Sequence, residues 1–247
     1  MSHPVLVLLP GLMCDTEFWA AQSAVLRAAK IEFRVAHYGL ADSLADMAQA
    51  VLAADPGPLA VVGHSMGGRV ALEIARLAGA RLRGAALLDT GFRPLARGEA
   101  GEREVAARLQ LLEQARQQGL RPMAASWVQS MVHPDRLHDR ALIDPILDMF
   151  ERGSVGQFDA QIRALIARPD ASDVLPGITC PALLLCGEQD QVSSPAQHRE
   201  MAQLIPGSLF TLVPCCGHMS PMEQPTAVNA ALLSWLQRID AVSSAAR

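Results

Sequence analysis

A chain of 247 residues is long enough for one large domain with a full core, or for a domain carrying an inserted subdomain. Half of the residues are hydrophobic and 19% are charged, so there is no polar tract of the kind that stays disordered. The net charge is -4 and Lys30 is the only lysine, which leaves no basic footprint for nucleic acid.

The chain opens with Met1-Ser2-His3-Pro4 and the apolar run Val5 to Leu9, which has no basic leader and is too short for a signal peptide or a membrane span. It reads as the first strand of a cytoplasmic protein with no membrane contact. A turn, Pro10-Gly11-Leu12, follows, and then a helical stretch around Phe18 to Ala29, where Phe18 and Trp19 are expected to pack the core. A weaker strand run spans Ile31 to Ala36, and a second helical stretch spans Leu44 to Ala53. Next comes Leu59 to Val62, a short buried strand, then Gly63-His64-Ser65-Met66-Gly67, then a run from Arg69 to Leu77 with apolar positions at helical spacing. Gly84 to Leu88 is a further strand.

From about Gly91 to Pro176 the alternation stops and the chain turns helical and charged, with Val105, Leu109 and Leu112 on one face. Two more strand runs, Ala182 to Cys186 and Leu209 to Val213, complete the pattern. Near-continuous apolar strands alternating with helices predict an α/β fold: a mostly parallel sheet of about six strands flanked by helices, with a helical cap inserted. The expected division is a core of residues 1–90 and 177–240, a cap of 91–176 placed to act as a lid, and a polar tail of 241–247 that frays. The five cysteines are an odd number with no Cys-x-x-Cys pair, so reduced thiols are expected.

Ser65 lies where a strand turns into a helix within a few residues, and only very small residues two positions either side allow that approach. A serine hydroxyl needs a neighbouring base. His218 follows the last strand through Pro214-Cys215-Cys216-Gly217, so it reaches the carboxyl edge where Ser65 sits. His64 leaves the strand in another direction, and His3 and His37 are candidates only by proximity. His133 and His138, with Asp135 and Asp139, match no zinc spacing and read as a solvated helix start. The acid that orients the imidazole is expected at Asp190, in the turn Gly187-Glu188-Gln189-Asp190; Asp89 competes from the end of the neighbouring strand. The oxyanion donors are expected to be the amides of Met66, at a helix start, and Leu12.

These four segments, in this order, resemble the α/β-hydrolase family over most of the chain, and among its members the small bacterial carboxylesterases and enol-lactone hydrolases. The match lies in Pro10-Gly11-Leu12, the elbow Gly63 to Gly68, the acid turn ending at Asp190, and Cys216-Gly217-His218 leading to Glu223-Gln224-Pro225. The family's full sheet has about eight strands. This chain starts at what would be the third, and it has Pro10-Gly11 where the family usually has His-Gly.

The resemblance implies a serine hydrolase acting on a small ester, thioester or lactone through an acyl-enzyme on Ser65. Carbon-carbon bond hydrolysis, acyl transfer and perhydrolysis share the same triad, and a ligand-binding member without turnover is the reading from another class. No metal or organic cofactor is expected. The expected partner is a small-molecule substrate, and a homo-oligomer stays open. Trp127, Met131, Phe150 and Phe158 are candidates for an apolar pocket wall, with Arg163 as a carboxylate anchor, though such apolar residues at helical spacing more often pack inside the lid and a lone arginine is usually solvated.

Overall fold

The computed structural model describes residues 4–245. The expectations for Met1 to His3, His3 among them, lie outside the described residues.

Six strands form one parallel sheet: β1 (Val5–Leu9), β2 (Phe33–Val35), β3 (Leu59–His64), β4 (Leu82–Leu88), β5 (Ala182–Gly187) and β6 (Leu209–Val213), in the order β2-β1-β3-β4-β5-β6. The strands β3 and β5 are buried along their whole length. Covered on both faces, they can be apolar at every position rather than at alternate ones. The helices α1 (Ala20–Ala28), α2 (Leu44–Ala54), α3 (Met66–Ala78), α4 (Glu99–Gln118), α5 (Leu120–Trp127), α6 (Arg140–Arg152), α7 (Val155–Ile166), α8 (Pro195–Leu204), α9 (Ser220–Glu223) and α10 (Pro225–Ala245) complete the architecture.

Several helix starts carry side-chain caps. The hydroxyl of Ser43 accepts from the amide of Asp46, that of Ser154 from Gln157, and the carboxylate of Asp139 from Ala141 and Leu142. Each satisfies an amide that has no partner within its helix.

The chain leaves β1 towards β2 on one side and returns to β3 on the other. The loops after β1 and β3 therefore diverge, and a crevice opens at the carboxyl edge between them. Leu9 stands beside Gly63, His64 beside Leu88, and Gly187 beside Val213, so the five loops that follow these strands emerge along one rim.

Between β4 and β5 lie α4 to α7, tied to one another by ion pairs. Arg121 reaches Asp148 and Glu151 across α5 and α6, and Arg168 takes both oxygens of Glu104, at 2.7 and 2.8 Å. Several boundaries differ from the sequence reading: β2 is shorter, at Phe33–Val35, β4 begins at Leu82 and β5 ends at Gly187. Strand β3 runs on to His64, because the two extra residues pair with Leu87 and Leu88 of β4. The final helix continues to Ala245, into the stretch expected as a tail, whose last two residues, Ala246 and Arg247, lie outside the described residues. Among the described residues no helix is long and apolar enough to cross a membrane.

Candidate active site

Ser65 occupies the junction of β3 and α3 with φ 52° and ψ -114°, a left-handed backbone that a non-glycine residue adopts only when its surroundings impose it. The constraints are visible. The Ser65 amide donates to Leu88 O at 3.0 Å, and its carbonyl accepts from Gly68 N at 3.0 Å and from the Thr90 hydroxyl at 2.6 Å. A Cβ on Gly63 would fall 2.3 Å from Gly67 O, and one on Gly67 would fall 2.0 Å from Leu9 O. Glycine at both positions lets strand, turn and helix approach this closely.

The Ser65 hydroxyl lies 2.8 Å from Nε2 of His218, and Nδ1 of His218 lies 2.9 Å from Oδ2 of Asp190. Asp190 turns its other oxygen to the amides of Val192 and Ser193, at 2.8 and 2.9 Å, so the carboxylate is fixed by its own loop and presents one oxygen to the imidazole. The acid turn and the histidine loop are themselves joined: Glu188 N donates to Val213 O and Gln189 N to Cys216 O, both at 2.8 Å.

Burial by itself would drive a proton off His218, but the charge and hydrogen bond of Asp190 outweigh it, and the imidazole ends above its ordinary value. For Asp190, burial opposes ionisation, and the His218 charge and the amide donors overcome it, leaving the carboxyl below its ordinary value. The two shifts describe one stabilised pair.

His64, next to the serine, has another job. Its Nε2 donates to the carbonyl of His218 at 2.7 Å, and its ring lies 4.3 Å from that of Phe18. Burial, reinforced by the neighbouring His218, lowers its pKa to about 3, so it stays neutral. His198 is likewise a fixed neutral group: Nε2 accepts from Thr90 N at 3.1 Å, Nδ1 meets Ser194 O at 3.2 Å, and burial lowers its pKa to about 4.

Asp89 ends β4 with φ 46° and accepts from Gly187 N at 2.9 Å and from the Ser220 hydroxyl at 2.5 Å; burial raises its pKa well above the carboxylate range. Asp89, Cys186 and Asp190 bring one donor atom each within 4.8 Å of one another. All three donors are already engaged, Cys186 with the carbonyls of Gly187 and Ser193.

Met66 is the first residue of α3, so its amide is one of those a helix start leaves free, beside the serine. Leu12 sits in the loop after β1, between Gly11 and the left-handed Met13, whose amide donates to Gln161 Oε1 at 2.8 Å. Of the cap residues named from the sequence, Met131 touches the histidine loop: its carbonyl accepts from His218 N at 2.6 Å. Trp127, Phe150 and Phe158 stack in series, with ring centroids 5.0 and 6.4 Å apart, and both phenylalanines are fully buried. Arg163 is not brought to this group. Its side chain is 59% exposed and faces Asp159, one helical turn earlier, and Asp42. His133 accepts from Asp135 N as the cap of a short helical turn.

Nothing in the sequence assigns a role to Gln161 or Glu223. Gln161 is an amide on the buried face of a helix, and that placement is its only local signal; Glu223 begins the segment Glu223-Gln224-Pro225 after the histidine loop.

The chain as a whole is similar to several known proteins. RutD of Escherichia coli, described as a candidate carbamate hydrolase, is 26% identical over 94% of this chain and 91% of its own length. A thermophilic esterase from Thermogutta terrifontis superposes with a TM-score of 0.84 at 29% identity, covering 96% of this chain and 91% of that one. The enol-lactonase from Burkholderia xenovorans LB400 shares the fold with a TM-score of 0.81 at 24% identity, over 96% of this chain and 92% of that one. The profile of the alpha/beta hydrolase family matches residues 6–231, and the chain belongs to that family of hydrolases.

Proposed function

We propose that this hydrolase cleaves a small carboxylic ester, thioester or lactone through an acyl-enzyme on Ser65. The observation that carries the reading is the unbroken chain from Ser65 Oγ to His218 Nε2, 2.8 Å, and from His218 Nδ1 to Asp190 Oδ2, 2.9 Å. Ser65 Oγ attacks the carbonyl carbon as His218 Nε2 takes its proton, and Asp190 stabilises the imidazolium that forms. The amides of Met66 and Leu12 face the oxyanion. Collapse of the intermediate expels the alcohol, thiol or lactone oxygen, which His218 protonates; water then repeats the sequence and frees Ser65.

The esterase from Thermogutta terrifontis supports a carboxylic ester as the substrate class. Substrate selection falls to the helices of residues 91–176, since the core supplies only the chemistry. The free cysteines, buried except for Cys180 and Cys215, fit a cytoplasmic location.

The test is turnover of p-nitrophenyl acetate and butyrate together with covalent labelling by a serine-directed phosphonate. Turnover and labelling at Ser65 are expected in the unaltered protein, and both vanish in Ser65→Ala. Labelling that persists in Ser65→Ala places the nucleophile elsewhere, and ester binding without turnover supports the receptor reading. Transfer to an added alcohol or peroxide in preference to water identifies an acyltransferase or perhydrolase.

A further inference from the structure

We propose that Glu223 is a positioning residue that holds His218 in line with Ser65 and couples that alignment to the docking of the helical cap. The inference rests on the proposed role of His218. It starts from the backbone of three consecutive residues. Oε1 of Glu223 accepts from the amides of Gly217 and Met219, each at 3.1 Å, so the residues on both sides of His218 end on one carboxylate. Oε2 accepts from Gly217 N at 3.1 Å and from His133 N at 2.7 Å, and His133 belongs to the cap.

The amide between them, that of His218, donates to Met131 O, also in the cap, at 2.6 Å. The His218 carbonyl is held by His64. Every polar backbone atom of His218 thus has a partner, and only side-chain torsions are left to the imidazole. Arg136, again from the cap, closes the clasp by donating to the Glu223 carbonyl at 3.0 Å.

A carboxylate is suited to this position because it is acceptor-only. Four contacts from three amides meet two oxygens, with no donor among them to clash. Glu223 is 3% exposed, and amide bonds to a carboxylate in such a place are stronger than neutral ones. Cap and histidine loop are therefore tied to each other. A cap that lifts takes Met131 O and His133 N with it, and the loop loses two of its fixed points.

A role in packing alone and a role in positioning His218 differ in what they do to the imidazole's titration. The groups facing His218 are Asp190 after β5, Asp89 after β4, neutral His64 at the end of β3, neutral His198 on α8, and Glu223 on α9. The negative charge of Glu223 favours the imidazolium, so its loss lowers the pH at which His218 gives up its proton.

The experiment uses Glu223→Gln in the full chain, with folding checked by circular dichroism. With p-nitrophenyl butyrate, kcat is expected to fall roughly 10- to 100-fold while KM stays within about two-fold, since a misplaced base loses the transition state and not the substrate. The acid limb of kcat/KM moves to lower pH. The His218 imidazole titrated by NMR without substrate moves the same way. That readout stands even where no ester is turned over, so it separates this inference from the proposed hydrolysis. An unchanged NMR midpoint, or an unchanged kcat in an active protein, overturns the inference.

Should Glu223→Gln fail to fold, His133→Pro removes the cap's amide donor, at a residue whose φ of -56° suits proline, and His133→Ala, which loses only the imidazole that accepts from Asp135 N, is its control. A lowered kcat at constant KM supports the clasp, and an unchanged kcat overturns it.

Discussion

The hydroxyl of Ser220 donates to Oδ2 of Asp89 at 2.5 Å, two residues beyond His218 and one strand away from Asp190. Asp89 is therefore committed to holding the loop that carries the histidine, and its second oxygen to holding Gly187 at the end of β5. Two carboxylates stand near one imidazole, and the partners of each divide their tasks.

Asp190→Asn is expected to lower kcat by about 10⁴-fold, because an amide facing Nδ1 favours the wrong tautomer of His218. Asp89→Asn keeps the Asp190–His218 bond and is expected to cost far less in kcat, while lowering the melting temperature through the weakened tie to Ser220. Steady-state kinetics and thermal unfolding of the two variants check this. An Asp89→Asn loss as large as that of Asp190→Asn would exchange their roles.

The raised pKa of His218 has a direct kinetic consequence. A protonated imidazole cannot take the Ser65 proton, so activity is lost as pH falls through the histidine's value. The acid limb of kcat/KM is expected to have its midpoint above 6.5, the ordinary histidine value. A midpoint below 6.5 in the pH profile contradicts the pairing with Asp190.

His198 ties stability to pH with the opposite sense of shift. Its pKa in the fold is about 4, whereas in the unfolded chain it takes a proton near 6.5. The unfolded state thus binds more protons, and the stability this residue contributes is complete above pH 6.5 and is lost as pH falls towards 4. Replacing it in His198→Gln is expected to flatten the dependence by about 1 kcal/mol per pH unit. Urea unfolding at pH 7, 6 and 5 measures it, and parallel slopes for the two proteins refute it.

Gly187 stands where the acid turn and the histidine loop touch; a Cβ there would lie 2.0 Å from Gly217 O and 2.5 Å from Cys216 O. Both obstacles are backbone, so the loops must separate. Gly187→Ala is expected to destabilise the fold by roughly 1–3 kcal/mol and to lower kcat by lengthening the Asp190–His218 contact. Wild-type kcat in a protein of wild-type stability would show that the loops tolerate the shift.

Gln161 reaches from α7 to the loop after β1 and is buried with it. Gln161→Leu leaves the Met13 amide without its acceptor and frees the loop that presents Leu12. Phosphonylation of Ser65 and kcat are expected to slow together, by roughly 10-fold or more, with KM little changed. Equal rates of phosphonylation in both proteins would remove Gln161 from any such role.

Much of this was legible along the chain. Apolar runs of strand length, separated by helical stretches, specify a parallel sheet because a strand covered on both faces has no solvent side to mark with polar residues. Ser65, Asp190 and His218 could be named for the same reason: in such a sheet every strand end faces one rim, so residues in the loops after β3, β5 and β6 are neighbours whatever their separation in sequence.

Tertiary structure alone decided the supporting contacts. Glu223 accepts from a cap amide 90 positions away, and Gln161 reaches from the cap to a core amide 148 positions away, contacts that no periodicity records. Asp89 and Asp190 look alike in sequence, each following a strand at the same edge; which one meets the imidazole depends on where Ser220 and the amides of Val192 and Ser193 place their protons. Ser65 is fixed by the local turn, whereas the alignment of its base is set by a carboxylate and a cap that only folding brings to it.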